Sequence, residues 1–381
     1  MKVEAPSRKF AIPREAGSRK LGALSITAQR LRNQKLVRSD VKTPAEIVSW
    51  LGAVQSQDYA GAKWALGLRS PSLTDADVDR AFDSGAIVRT HILRPTWHFV
   101  LPEDLRWMQR LAGPRLKAVN RHYCHSNGLD DQTLARSRKV IEKALRGGFL
   151  TRTALGAVLA KAGIPTDGGQ RLAYIVMEAE IDHVICSGPR QGKQFTYALA
   201  DERALKSRAL NADEALAELT RRYFTSHGPA TVPDFVWWSG LTVKHAKTGL
   251  EMLGRVLASE RVDGKIYWFA PDGKRTTPRS ARPTVYLLPN YDEYLNALRD
   301  RSLAFDPGGS APTTSAFVGV PHQLVIDGIL RGAWKREITP RQARITVQPF
   351  RALSRDEKQA LTRAVARLGA FLKLPAELTI V

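Results

Sequence analysis

Apolar and polar positions recur along this chain at two periods, and the switches between them predict its elements. Ile47, Leu51 and Val54 fall on one helical face. Thr43-Pro44-Ala45-Glu46 opens that helix with a capping-box Thr and Glu, and Pro at the first helical position. The helix is expected to end near Val54, which puts Gln55-Ser56-Gln57 at its C-terminal end. A second helix is predicted over 60–68. After Gly85 the period falls to two and predicts two strands. Trp97 and Phe99 then share one face, with Thr96, His98 and Val100 on the other.

The order helix, helix, hairpin returns twice more. Helices are predicted over 152–163 and 170–181, followed by the hairpin VICS-GPRQGK-QFTYAL, whose loop carries Arg190 and Lys193. Further on, PDFVWWSG predicts a short helix, with Trp237 and Trp238 as core. Ser239-Gly240-Leu241 reads as a tight turn. Thr242 then caps VKHAKTGLEML, which is basic at its start through Lys244, His245 and Lys247. ERVDGKIYWFA completes the unit, with Asp263-Gly264 as turn. Residues 283–381 differ. They combine a strand leading into LLPNYDEYLNALRDRS, a loop at DPGGSAPTT, a hairpin at QLVIDGILRGAWK, a strand at ITVQPF and a basic amphipathic helix over 354–372. The expected fold is α+β, with three tandem winged helix-turn-helix units (21–102, 103–205 and 206–282) and a small β-barrel-like C-terminal domain with a terminal helix. Residues 1–20 lack apolar periodicity and are expected to be a disordered basic arm.

Length and charge sharpen this picture. A chain of 381 residues suggests two to four domains. No apolar run approaches the roughly 20 residues of a membrane helix, and no secretory signal opens the chain. Two cysteines fit a reducing, cytoplasmic setting rather than a disulfide framework. The 58 Lys and Arg against 37 Asp and Glu leave a net charge of +21, spread along the whole chain. Such a surplus repels itself unless a polyanion offsets it, and nucleic acid is the usual partner. Double-stranded DNA is the expected one, bound by a monomer, since three tandem units suffice to cover a lesion. Arg89, His91 and Arg94 in the first hairpin are candidate phosphate contacts, or else a solvated face. Arg190, Lys193, Lys244 and Lys247 join Arg89 as candidate DNA-binding residues.

Candidate chemistry is sparse. No phosphate-binding loop, nucleophile elbow or zinc-ligand spacing is present. His122-Tyr123-Cys124-His125 has no second cluster and reads as helix, so neither metal nor cofactor is expected. Gln55 and Gln57, one residue apart, can aim two amides at one target, orient a water and offer partial negative charge to a developing cation. From spacing alone, a pair of surface glutamines is the plainer reading.

VQSQDY resembles the paired-glutamine motif of the AlkZ-like DNA glycosylases, a winged-helix group. RPTWHFV followed by Pro-Glu-Asp, DFVWWSGLT, LLPNYDEYLNALRDRS and GVPHQLVIDGILRGAWK are similar to further segments of that family. The resemblance covers about residues 22–381. It implies a monofunctional glycosylase that removes N7- or N3-alkylated purines, unhooks interstrand crosslinks and surrounds DNA with a basic concave channel. It also implies Gln55 and Gln57 as the catalytic pair, with His98 and Asp292 near the lesion or backbone; Arg94, from its place in the first hairpin, is a further candidate for such a contact. Ser56 stands where the family has an aliphatic residue, which is expected to loosen the packing around both amides. The competing readings are a non-catalytic winged-helix DNA-binding protein, either regulator or lesion sensor, and an RNA-binding protein.

Overall fold

The computed structural model describes residues 23–37, 39–271, 282–305 and 322–381. The expected arm at 1–20 and the loop DPGGSAPTT lie outside these residues.

A first helix, α1 (Ala23–Asn33), precedes three repeats of one element order. The first repeat is α2 (Pro44–Leu51), β1 (Val54–Gln55), α3 (Tyr59–Arg69), α4 (Asp75–Ser84) and the hairpin β2 (Val88–His91) and β3 (Trp97–Val100). The 25-residue α5 (Pro102–Ser126) leads into the second: α6 (Asp131–Leu145), β4 (Phe149–Thr151), α7 (Arg152–Lys161), α8 (Arg171–Ile181) and the hairpin β5 (Ile185–Ser187) and β6 (Thr196–Leu199). A short α9 (Ala200–Arg203) joins it to the third. There α10 (Ala212–Ser226), α11 (Val232–Ser239) and α12 (Val243–Leu253) precede the hairpin β7 (Ala258–Val262) and β8 (Lys265–Phe269). Side chains set most helix starts. Capping boxes begin α2, α4, α10, α11 and α12 at Thr43, Thr74, Asn211, Thr231 and Thr242.

In each repeat a short extended segment after the first helix pairs with the hairpin's second strand. β1 pairs with β3, β4 with β6, and Ala230 bridges Trp268 of β8. The repeated order was expected. These short third strands were not, because two or three residues leave no readable alternation.

The C-terminal part holds β9 (Val285–Leu288), α13 (Glu293–Asn296), β10 (His322–Ile326), β11 (Ile329–Ile338), β12 (Ala343–Pro349), α14 (Arg355–Leu372) and β13 (Ala376–Ile380). The strands form one sheet in the order β13-β12-β11-β10-β9, with β13 parallel to β12. The expectation of a barrel-like closure is corrected here. Among the described residues no ladder joins β9 to β13. The helix α14 packs against both strands.

The core does not follow chain order. Leu51, Trp64 and Phe82 of the first repeat share one apolar cluster with Leu287, Trp334 and Phe371 of the C-terminal part. Trp64 Nε1 donates to the Leu287 carbonyl at 2.7 Å. The second repeat has its own cluster around Ile141, Leu155 and Ile175. The third packs with α5 through Trp107, Tyr223 and Trp238.

Candidate nucleic-acid interface and active site

Gly52 decides where the glutamine motif sits. It ends α2 at Leu51, with φ 80°, a backbone region that side-chain-bearing residues rarely adopt. The chain then extends, and Gln55 pairs with His98 across the β1–β3 ladder. The motif therefore lies on and just past a strand, not at a helix end as expected. The Ser56 N–H donates to the Trp97 carbonyl at 2.7 Å, and the Ser56 carbonyl accepts Arg89 Nε at 3.1 Å. Ser56 is fully buried, and its hydroxyl has no hydrogen-bond partner.

The two glutamines occupy different surroundings. Gln55 is 6% exposed. Its side-chain oxygen accepts Asn296 Nδ2, and its N–H donates to Glu293 Oε1 at 2.8 Å. Glu293, fully buried, also accepts Trp238 Nε1 at 3.0 Å. Burial pushes its carboxyl up, but the His227 imidazole and the Gln55 N–H outweigh that and hold it below the usual carboxylate range. Gln57, by contrast, is exposed, and its Oε1 accepts the Trp97 N–H at 3.4 Å. It lines a cleft of about 120 Å³ together with His91, Trp97, Arg152, Met177 and Tyr197. This cleft lies between the first hairpin and the second repeat. A larger open groove of about 630 Å³ beside Trp50 and Arg221 contains neither glutamine. The cleft is the better candidate, because a motif side chain reaches it.

Other expected site residues are buried or tied to protein partners. His98 is 0% exposed; its Nδ1 lies 2.9 Å from the Thr96 carbonyl and its Nε2 is enclosed without a partner. Burial, with Arg94 adding to it, pushes its pKa down to about 3, so the ring stays neutral. Asp292 is sealed in a two-point ion pair with Arg69, at 2.8 and 2.9 Å. Arg94 lies over the Trp237 ring at 5.4 Å, largely buried. Arg89 is sandwiched near the Trp97 and Phe195 rings, at 4.3 and 4.8 Å, and burial lowers its pKa to about 10. It braces the motif from inside through the Ser56 carbonyl. Arg190 is tied to Asp83 at 3.0 Å and Asp79 at 3.1 Å. The sequence shows these cations but not their partners, which come from other elements.

Trp237 corrects the core expectation. Trp238 is fully buried, but Trp237 is 42% exposed, and its Nε1 donates to the Asn296 carbonyl. Lys193, Lys244 and Lys247 stand exposed, as a DNA-facing role requires. The residues missed were Glu293 and Asn296. A signal existed: both follow Asp292 within one helical turn of the DEYLN segment.

Among the described residues no cluster of His, Cys, Asp and Glu is arranged to hold a metal. No helix among them is long and apolar enough to cross a membrane.

The family described as DNA glycosylase AlkZ-like matches residues 48–371. The interstrand DNA cross-link repair glycosylase of Streptomyces sahachiroi is 22% identical over 375 residues, covering 93% of this chain and 98% of that protein. The solved structure of Streptomyces sahachiroi DNA glycosylase AlkZ matches with a TM-score of 0.78 at 20% identity, over 95% of this chain and all of that one. At that identity the likeness speaks for the shared α+β fold, while the family match spans most of the sequence. The chain belongs to the AlkZ-like DNA glycosylase family.

Proposed function

We propose that this protein is a monofunctional DNA glycosylase that hydrolyses the N-glycosidic bond of N7- or N3-alkylated purines in duplex DNA. The relative named for interstrand cross-link repair extends the proposal to crosslinked duplexes. The observation that carries the reading is Gln57, a motif amide exposed at a cleft and fixed to the β3 backbone.

An N7-alkylated purine is already cationic and leaves without a strong general acid. The protein then has to stabilise an oxocarbenium-like sugar and hold a water. Gln57 presents its amide for that purpose. Gln55 acts from behind, its orientation set by Asn296 and Glu293. The three repeats serve as winged-helix units over 21–102, 103–205 and 206–282, with the C-terminal sheet and helix over 283–381 as a fourth unit. In this arrangement Lys193, Lys244 and Lys247 meet phosphates, and a monomer suffices.

The test is single-turnover cleavage of a duplex carrying one N7-methylguanine, with alkaline scission of the abasic product. Wild type is expected to cut, and Gln55→Ala/Gln57→Ala to bind without cutting. Gln55's burial favours a second reading, a non-catalytic lesion binder. Tight binding with no base release from any alkylated duplex would select it.

A further inference from the structure

The cleft beside Gln57 holds a titratable pair that this function does not yet use. His91 sits on β2, directly across from Trp97 on β3, with the two rings 4.4 Å apart. It is only 3% exposed, yet it lines the cleft. Its Nδ1 meets Oε2 of Glu180 on α8. Glu180 is fully buried, and its other oxygen has no partner.

That arrangement orients the ring. When the neutral imidazole donates from Nδ1 to the Glu180 carboxylate, its lone pair is on Nε2. Nδ1 is committed to Glu180, which leaves Nε2 as the ring nitrogen available to the cleft. His98 makes the contrast: its Nε2 is enclosed. Gln57 reaches the same cleft from the end of β1, two strands away, about 10 Å between backbones. The cleft, of about 120 Å³, has room for water beside the Gln57 amide. A water held by the Gln57 amide can therefore lie within reach of the imidazole.

We propose that His91, oriented by Glu180, is the general base of the hydrolysis, taking a proton from the attacking water through Nε2. The proposal rests on the glycosylase reading. In the step, a lone pair of the water oxygen forms the bond to the sugar C1′. The C1′–N bond breaks, and its electron pair stays with the purine, which loses its positive charge. The water proton passes to Nε2 and then to solvent. No further reactant is required.

The groups around His91 come from several elements. Glu180 faces it from α8, Arg152 from α7 and Tyr197 from β6, with Arg89 on its own strand and His98 on β3. Burial holds His98 neutral and pushes the Tyr197 hydroxyl well up. Guanidinium groups stay charged. An imidazole is the side chain that changes charge near neutral pH.

Single-turnover excision of N7-methylguanine at saturating enzyme, followed across pH, tests the assignment. Wild type is expected to lose rate on the acid side with the slope of one proton. His91→Ala should fall by roughly 10²–10⁴-fold at unchanged DNA affinity. Its rate should also lose that acid limb and rise again with added imidazole, which a purely structural role would not produce. Glu180→Gln should slow the reaction while keeping the shape of the contact. A wild-type rate in His91→Ala, or a slow rate that imidazole leaves unmoved in a folded protein, overturns the proposal. If His91→Ala does not fold, His91→Asn carries the comparison, and wild-type activity there is equally decisive. If wild type itself releases no base, the glycosylase reading fails and takes this one with it. An active wild type with an unaffected His91 variant removes the base assignment alone.

Discussion

One side chain links the buried glutamine to the rest of the candidate site. Asn296 donates its Nδ2 to the Gln55 carboxamide oxygen, and its own carbonyl accepts the Trp237 indole N–H. An amide can present either its oxygen or its nitrogen to a substrate, and only its partners decide which. Asn296 takes the oxygen and so sets the face Gln55 shows. Losing one such hydrogen bond costs about 1 kcal/mol, and misorientation of a catalytic group adds to it. Asn296→Ala is therefore expected to slow single-turnover excision by roughly tenfold or more without changing DNA affinity. Asn296→Asp keeps the shape but replaces the donor with an acceptor, which turns the Gln55 amide over, and it should slow the reaction as much or more. Wild-type rates in both variants would show that the orientation of Gln55 is irrelevant to the reaction.

At the scale of elements, the sequence was most legible where structure is local. Thr43 with Glu46, and Thr242, mark helix starts by chemistry contained within four residues, and the helices begin there. The strand carrying Gln55 was illegible for the opposite reason. Two residues show no period, and their partners, Phe99 and His98, lie more than forty positions away. The same limit explains the site. Gln55 and Gln57 stood out through the resemblance of VQSQDY to a family motif and not through spacing, whereas Arg89 and Arg190 looked like free cations because their ring and carboxylate partners belong to distant segments. On α12 the cations lie at the surface. Lys244 and Lys247 are exposed near the start of α12, which follows α11 after a tight turn at Gly240; in a helix-turn-helix that end of the second helix enters a DNA groove. Replacing both with Ala should weaken binding to any duplex and reduce the log–log salt slope by about two. An unchanged slope, measured by titration at several salt concentrations, would place α12 away from the DNA.

The whole molecule is closed by a contact that joins its two ends. Arg69 and Asp292 are 223 positions apart, and both side chains are fully enclosed. The guanidinium also donates to the Ala65 carbonyl and to Gln34 Oε1, so one buried ion pair links α1, α3 and the entry to α13. Around it, the first repeat and the C-terminal sheet share a single apolar cluster. Elements that share a core cannot unfold separately without exposing each other's apolar surface, so these two ends should melt together. Removing one partner of a buried pair strands a charge, at a cost of about 3–5 kcal/mol. Asp292→Ala is therefore expected to lower denaturant stability by about that amount. The double change Arg69→Met/Asp292→Leu should recover most of it, because an apolar pair leaves no charge behind. Both variants should shift one transition, seen alike by tryptophan fluorescence and far-ultraviolet circular dichroism. Two separated transitions would mean that the ends fold independently. Asn296 and Glu293, which hold Gln55, would then belong to a unit able to come away from the motif they position.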